Sequence, residues 1–299
     1  MSTLPAGRYP RIFSVMNIIY DLENLRREVA VWKVEGLSIA LVPTMGNLHE
    51  GHLSLLKQAR SIADRTVVSI FVNPIQFGKG EDYERYPSTL EEDRKKLAEN
   101  GLDLLFAPDL KQLYPSGTDS DTRITVPDLS NILCGEFRPG HFSGVATVVM
   151  KLLINVQPHV ALFGEKDYQQ LLVIRRMVRD LCMPVEIIGA PTEREPDGLA
   201  LSSRNAYLNK EERAKAPLIY RTLQEAGEKL HHPDASIPAI EKAGLDQLAA
   251  AGFRPEYFSV RRTSDLGPVQ EGDNELSILV AAWLGGARLI DNIKIKIKK

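Results

Sequence analysis

From Asp21 onward the chain alternates two kinds of hydrophobic pattern. Leu22, Leu25, Val29 and Trp32 recur at helical spacing until Gly36 interrupts them. Ser38–Val42 is an unbroken apolar run ending at Pro43, the pattern of a strand buried on both faces. Leu53, Leu56 and Ala59 return to helical spacing, and Thr66–Val72 (T-V-V-S-I-F-V) is the clearest strand, stopped by Asn73-Pro74. Ser88-Thr89-Leu90-Glu91 has capping-box spacing and opens a charged helix to Asn100-Gly101. Leu102–Phe106 reads as a strand. A looser stretch from Tyr114 to Gly140 holds turn residues. An apolar helix (Phe142–Val156), a strand (Val160–Phe163), a helix (Asp167–Leu181) and a strand (Val185–Ile188) follow. Strand–helix–strand repetition predicts an α/β fold, a Rossmann-like doubly wound parallel sheet with helices on both faces.

Beyond Thr192 the pattern changes. Helical stretches at Glu211–Leu230 and Ile237–Ala251 precede strands at Tyr257–Arg262, Leu276–Ala282 and Arg288–Ile293, which describes a smaller α+β domain. Pro191–Gly198 (P-T-E-R-E-P-D-G) reads as a hinge, so the expected domains are 1–192 and 193–299. The alternating Ile and Lys of Lys294–Lys299 suggest a final amphipathic strand that frays.

A chain of 299 residues has room for these two domains. Lys plus Arg total 37 against 39 Asp plus Glu, a net charge of −2. That balance argues against a surface that wraps nucleic acid or lies on anionic lipid, and leaves room for one local basic pocket. No apolar run approaches membrane-spanning length, and Met1–Val15 lacks the apolar segment of a signal peptide. Cys134 and Cys182, far apart and in apolar surroundings, exclude a disulfide framework and an all-cysteine zinc site. The expected compartment is reducing and cytoplasmic.

In open parallel sheets ligands bind beyond the carboxyl ends of the strands. After the first long strand comes P-T-M-G-N-L-H-E-G-H (43–52), with His49 and His52 at a helix N-terminus, where free N–H groups and the helix dipole favour an anion. The spacing is not that of the H-E-x-x-H zinc helix. Asn73 and Gln76 follow the next strand and could address hydroxyls and a carboxylate, or could simply form a turn. Gly164-Glu165-Lys166-Asp167 follows another. There Gly164 permits close approach, Lys166 suits a phosphate, Asp167 could meet ribose hydroxyls or cap the helix, and Gln170 lies one turn along. Ser202-Ser203-Arg204, just past the hinge, suits a phosphoryl clamp but is also a common solvated turn. Glu91, Glu92 and Asp93 could help hold Mg²⁺ or merely match the helix dipole. Arg138 and His141 open another helix as a second anion candidate. His159, His231 and His232 receive no role.

The H-x-G-H loop with a later Ser/Lys-rich clamp resembles the nucleotidyltransferase superfamily. P-T-M-G-N-L-H-E-G-H (43–52), V-S-I-F-V-N-P-I-Q-F (68–77), F-G-E-K-D-Y-Q-Q (163–170) and D-G-L-A-L-S-S-R-N (197–205) together resemble the pantothenate synthetase (pantoate–β-alanine ligase) family, with A-A-W-L-G-G-A-R-L-I-D-N also similar. The resemblance spans about Met16 to Asn292 and leaves residues 1–15 as an extension. It implies a two-step ligation. ATP and (R)-pantoate give pantoyl adenylate and pyrophosphate, and β-alanine then displaces AMP. It implies that His49, His52, Lys166, Ser202, Ser203 and Arg204 surround the triphosphate, with Met45, Gly46, Gly164, Asp167 and Leu201 completing the ATP site. Met45, Gln76 and Gln170 would hold pantoate, Asn73 would steer β-alanine, and Asp93 with Glu92 would contact Mg²⁺. Arg138 and His141 match an R-P-x-H segment. A homodimer through the N-terminal domain is likewise implied. The readings set against it are a nucleotidylyltransferase that leaves the nucleotide on its product, a synthetase-like RNA binder and a non-catalytic nucleotide sensor.

Overall fold

The computed structural model describes residues 16–297 except 79 and 233; the predicted extension 1–15 lies outside the described residues. The first part carries β1 (Asn17–Ile19), α1 (Leu22–Val34), β2 (Ile39–Thr44), α2 (Glu50–Ile62), β3 (Arg65–Ile70), α3 (Leu90–Glu99) and β4 (Leu104–Phe106). It continues through α4 (Leu110–Leu113), α5 (Cys134–Phe137), α6 (His141–Val156), β5 (Val160–Gly164), α7 (Tyr168–Asp180) and β6 (Glu186–Ala190). All six strands pair in parallel in the order β1-β4-β3-β2-β5-β6. The chain leaves β2 toward β3 and β4 on one side, then returns to β5 and β6 on the other. The strand order therefore reverses beside β2, where a ligand crevice is expected.

Burial explains the layers. β2, with Ile39, Ala40, Leu41 and Val42 all at most 1% exposed, is covered on both faces. On one face α1, α6 and α7 pack around Leu25, Trp32, Leu153 and Ile174. On the other, α2 and α3 supply Leu55, Leu56, Ala59 and Leu97. The predicted helix Glu211–Leu230 is two, α8 (Lys210–Lys215) and α9 (Leu218–Lys229), because Pro217 has no N–H to continue the ladder. α9 and α10 (Ile237–Ala250) cover an antiparallel sheet of β7 (Arg254–Arg262), β8 (Glu275–Leu284) and β9 (Ala287–Lys296). β8 serves two cores. Ile278 and Val280 face the helices of its own unit, while Leu279 between them enters the core of the six-stranded body.

Some expectations need correction. The predicted final strand forms, with β9 paired to β8 as far as Lys296; residues 298 and 299 of the expected fraying tail lie outside the described residues. Cys182 is exposed, whereas Cys134 is buried. The predicted capping box at Ser88–Glu91 does not form. Thr89 is the N-cap of α3 without a side-chain cap, and its hydroxyl donates instead to Asp93 at 3.1 Å. No described helix is long and apolar enough to cross a membrane.

Candidate active site

A cavity of about 220 Å³ opens beyond the ends of β2 and β5, as the reversal in strand order leads one to expect. His49 is the N-cap of α2. Its Nδ1 accepts from the Gly51 N–H at 3.2 Å, and the Nδ1 of His52 accepts from the His49 N–H at 3.3 Å. The two rings thus cap one helix end reciprocally, with centroids 4.1 Å apart. Gly51 leaves them room: a Cβ there would stand 3.0 Å from the His49 ring, a tight contact. Burial, aided by Lys166 nearby, lowers the His49 pKa to about 4. Burial and then the neighbouring His49 lower that of His52 to about 3. Both rings are therefore neutral at pH 7. With Nδ1 accepting, the proton sits on Nε2, leaving each ring a donor on its other edge.

Lys166 and Asp167 stand across the cavity in a 3₁₀ turn joining β5 to α7, with Nζ to carboxylate 3.7 Å. Asp167 is the N-cap residue of α7, but its side chain makes no cap bond and it lines the cavity. A Cβ at Gly164 would meet no protein atom within 4 Å; the open space in front of it belongs to the cavity.

Gln76 and Gln170 line both this cavity and a smaller one beside it. Gln76 is locked: its Oε1 accepts from Asn73 at 3.1 Å, and its Nε2 contacts the Met45 sulfur at 2.9 Å. Its backbone carbonyl is held by His141 Nδ1 at 2.7 Å. Burial and the adjacent Arg138 lower the His141 pKa to about 3, so a neutral ring donates from Nδ1 while Nε2 accepts from Arg138 at 3.1 Å. Val145, Val148, Val149 and Leu152 of α6 form an apolar wall. From the segment after Gly198, Leu201, Ser202, Ser203 and Arg204 close the rim. Ser203 donates to the Asn47 carbonyl at 3.3 Å, and Arg204 binds the Asp82 carboxylate through two nitrogens at 2.9 and 3.0 Å.

The model of the pantoate-beta-alanine ligase family matches residues 17–294. The pantothenate synthetase of Pseudomonas fluorescens (strain Pf0-1) is 53% identical over 282 residues, 94% of this chain and 99% of the relative. The chain belongs to the pantoate-beta-alanine ligase family. Its chemistry is that of the family, ligation of pantoate and β-alanine. The pantothenate synthetase of Thermus thermophilus has the same fold, with TM-score 0.85 and 47% identity over 93% of this chain and 99% of that one. The pantoate-beta-alanine ligase of Francisella tularensis, crystallised with beta-gamma ATP and beta-alanine, superposes with TM-score 0.78 at 36% identity, covering 93% of this chain and 97% of that one.

Of the residues singled out in the sequence, Met45, His49, His52, Gln76, Gly164, Lys166, Asp167, Gln170, Leu201, Ser202, Ser203 and Arg204 share this cavity. Asn73 does not. It is 1% exposed, its amide donates to Gln76 and to the Gly144 carbonyl at 3.1 Å, and its oxygen accepts from Tyr114 at 2.9 Å. It holds Gln76. Gly46 is not among the cavity's lining residues either; its φ is +83°, and a Cβ there would stand 3.1 Å from Ile70 and 3.2 Å from Asp93.

The magnesium assignment to Asp93 and Glu92 does not fit. Asp93 is fully buried, and its two oxygens accept from the Asn47 and Leu48 N–H groups, both at 2.8 Å. Glu92 is exposed outside the cavity. Among the described residues no group of three His, Cys, Asp or Glu side chains is placed to hold a metal ion. Sequence reading missed Asp82, Tyr86 and Glu193. Asp82 and Tyr86 lie in no recognisable motif and Glu193 stood out only as part of the 191–198 stretch; the folded chain brings them to the rim, where Glu193 accepts from Ser54 at 2.7 Å.

Proposed function

We propose that this cavity joins (R)-pantoate to β-alanine through an acyl adenylate, with ATP as co-substrate. A pantoate carboxylate oxygen attacks the α-phosphorus, the bond to the bridging oxygen breaks, and pyrophosphate leaves. The β-alanine amine then attacks the acyl carbon, the bond to AMP breaks, and the amine gives up its proton as the amide forms. The carrying observation is that two neutral Nε2–H donors and the Lys166 ammonium border the same space as a pair of amide side chains and an apolar wall. The donors suit charge that builds on phosphoryl oxygens. The amides suit two hydroxyls and a carboxylate, and Met45 with the α6 valines suits the substrate's geminal methyl groups. Asp167 beside Gly164 suits the ribose.

We further propose that the part beyond residue 192 acts as a lid. An acyl adenylate must be kept from water. The rim contacts from Ser203 to Asn47, from Arg204 to Asp82 and from Tyr207 to the Arg85 carbonyl at 3.5 Å support that reading.

The test is an AMP assay in which ATP, pantoate and β-alanine are each omitted in turn. AMP should require all three, while pyrophosphate needs only ATP and pantoate. A product that retains the nucleotide would replace this reading with nucleotidyl transfer.

A further inference from the structure

The Asp291-Asn292 pair closes the motif A-A-W-L-G-G-A-R-L-I-D-N, and the ligation described above uses neither residue. Both are buried in β9, and as strand neighbours they point to opposite sides. Asp291 turns to the hinge, where Arg194 grips it through two nitrogens at 2.6 and 2.9 Å with its guanidinium 3.8 Å above the Tyr220 ring. Asn292 turns the other way. Its Nδ2 donates to the carbonyls of Glu165 and of Lys166, both at 2.9 Å. Lys294, two residues on and on the same face, meets the Glu165 carboxylate at 2.6 Å.

The Glu165–Asp167 turn receives these bonds from a strand more than a hundred residues away. A 3₁₀ turn has poor hydrogen-bond geometry of its own, so outside donors to its carbonyls set its orientation. That orientation decides where the Lys166 side chain enters the cavity.

We propose that Asn292 is a positioning residue for Lys166, fixing from the C-terminal sheet the turn that aims the ammonium at the triphosphate. The assignment rests on the role given to Lys166 above. A group misplaced by about 1 Å can lower a rate on the order of 10²-fold. Asn292→Ala leaves Lys166 in place but loosely held, so adenylate formation should fall about 10-fold.

The experiment measures pyrophosphate release from ATP and pantoate by wild type, Asn292→Ala, Lys166→Ala and the double variant, each per folded molecule with its melting temperature. Asn292→Ala should lower kcat with the KM for pantoate unchanged, and it should add less than about 2-fold to the loss from Lys166→Ala. A further drop of about 10-fold in the double variant would show that Asn292 acts apart from Lys166 and overturn the proposal. So would normal kcat in Asn292→Ala, or a loss that only tracks the folded fraction. Where the alanine variant does not fold, Asn292→Ser, too short to reach both carbonyls, makes the same comparison. An inactive wild type would sink the ligase reading itself, and a normal Lys166→Ala would sink only the lysine's role.

Discussion

An imidazole whose Nδ1 accepts a backbone N–H carries its proton on Nε2, and His49 and His52 both meet that condition. Removing such a donor from a site that stabilises developing charge costs on the order of 10²-fold or more. His52→Ala and Lys166→Ala should each slow pyrophosphate release by that order; near-normal release by either would remove it from the machinery. Burial also ties these rings to stability. Both folded pKa values, about 4 and about 3, lie below the ordinary value of 6.5. Below pH 6.5 the unfolded chain binds protons that the folded chain refuses. Stability is therefore full above that pH and is lost progressively as the pH falls toward the folded values. Each buried ring contributes about 1 kcal/mol per pH unit to that slope. Denaturant titrations at pH 6 and pH 5 should show His52→Asn losing stability less steeply than wild type by about that amount. An equal slope would mean that His52 takes its proton as readily folded as unfolded.

α3 shows how an element can serve a site from which its side chains are hidden. Asp93 accepts two backbone N–H groups of the 44–48 loop, and Lys96, one turn on, donates to the Leu48 carbonyl at 2.7 Å. Together they pin the loop that delivers His49 and His52. Asp93→Ala would leave two buried N–H groups unpaired, at about 1–3 kcal/mol each. We expect a matching fall in stability by chemical denaturation, with weakened adenylate formation that added Mg²⁺ or Mn²⁺ does not restore. Rescue by metal would return Asp93 to the role of a ligand.

The sequence showed α3 as a charged helix but not the direction of its charges, because Asp93 finds its partners 45 and 46 residues away. β2 and β3 were legible because continuous apolar runs have few other homes. β1 was not, since three residues carry no period. The residues at strand ends were readable for the same topological reason: a parallel sheet sends every such end to one edge. The inward turn of the Asn73 amide was not legible, because distance from a strand end says nothing of where an amide points. Asp82 was invisible, being only one acidic residue among several until Arg204 arrives from across the cavity.

At the scale of the whole molecule, the lid proposal predicts a change of shape. Small-angle scattering with ATP and pantoate bound should give a smaller radius of gyration than the free chain; identical profiles would leave the rim contacts as fixed braces. Motion of that kind has to coexist with β8, whose Leu279 sits in the core of the body while its neighbours Ile278 and Val280 sit in the other core. One strand with its two faces in different cores makes neither core complete alone. Heat should accordingly melt the protein in a single cooperative transition, with equal calorimetric and van't Hoff enthalpies. A chain ended at residue 192 would expose the apolar face that Leu279 covers, giving a fragment prone to aggregate and not an independent half.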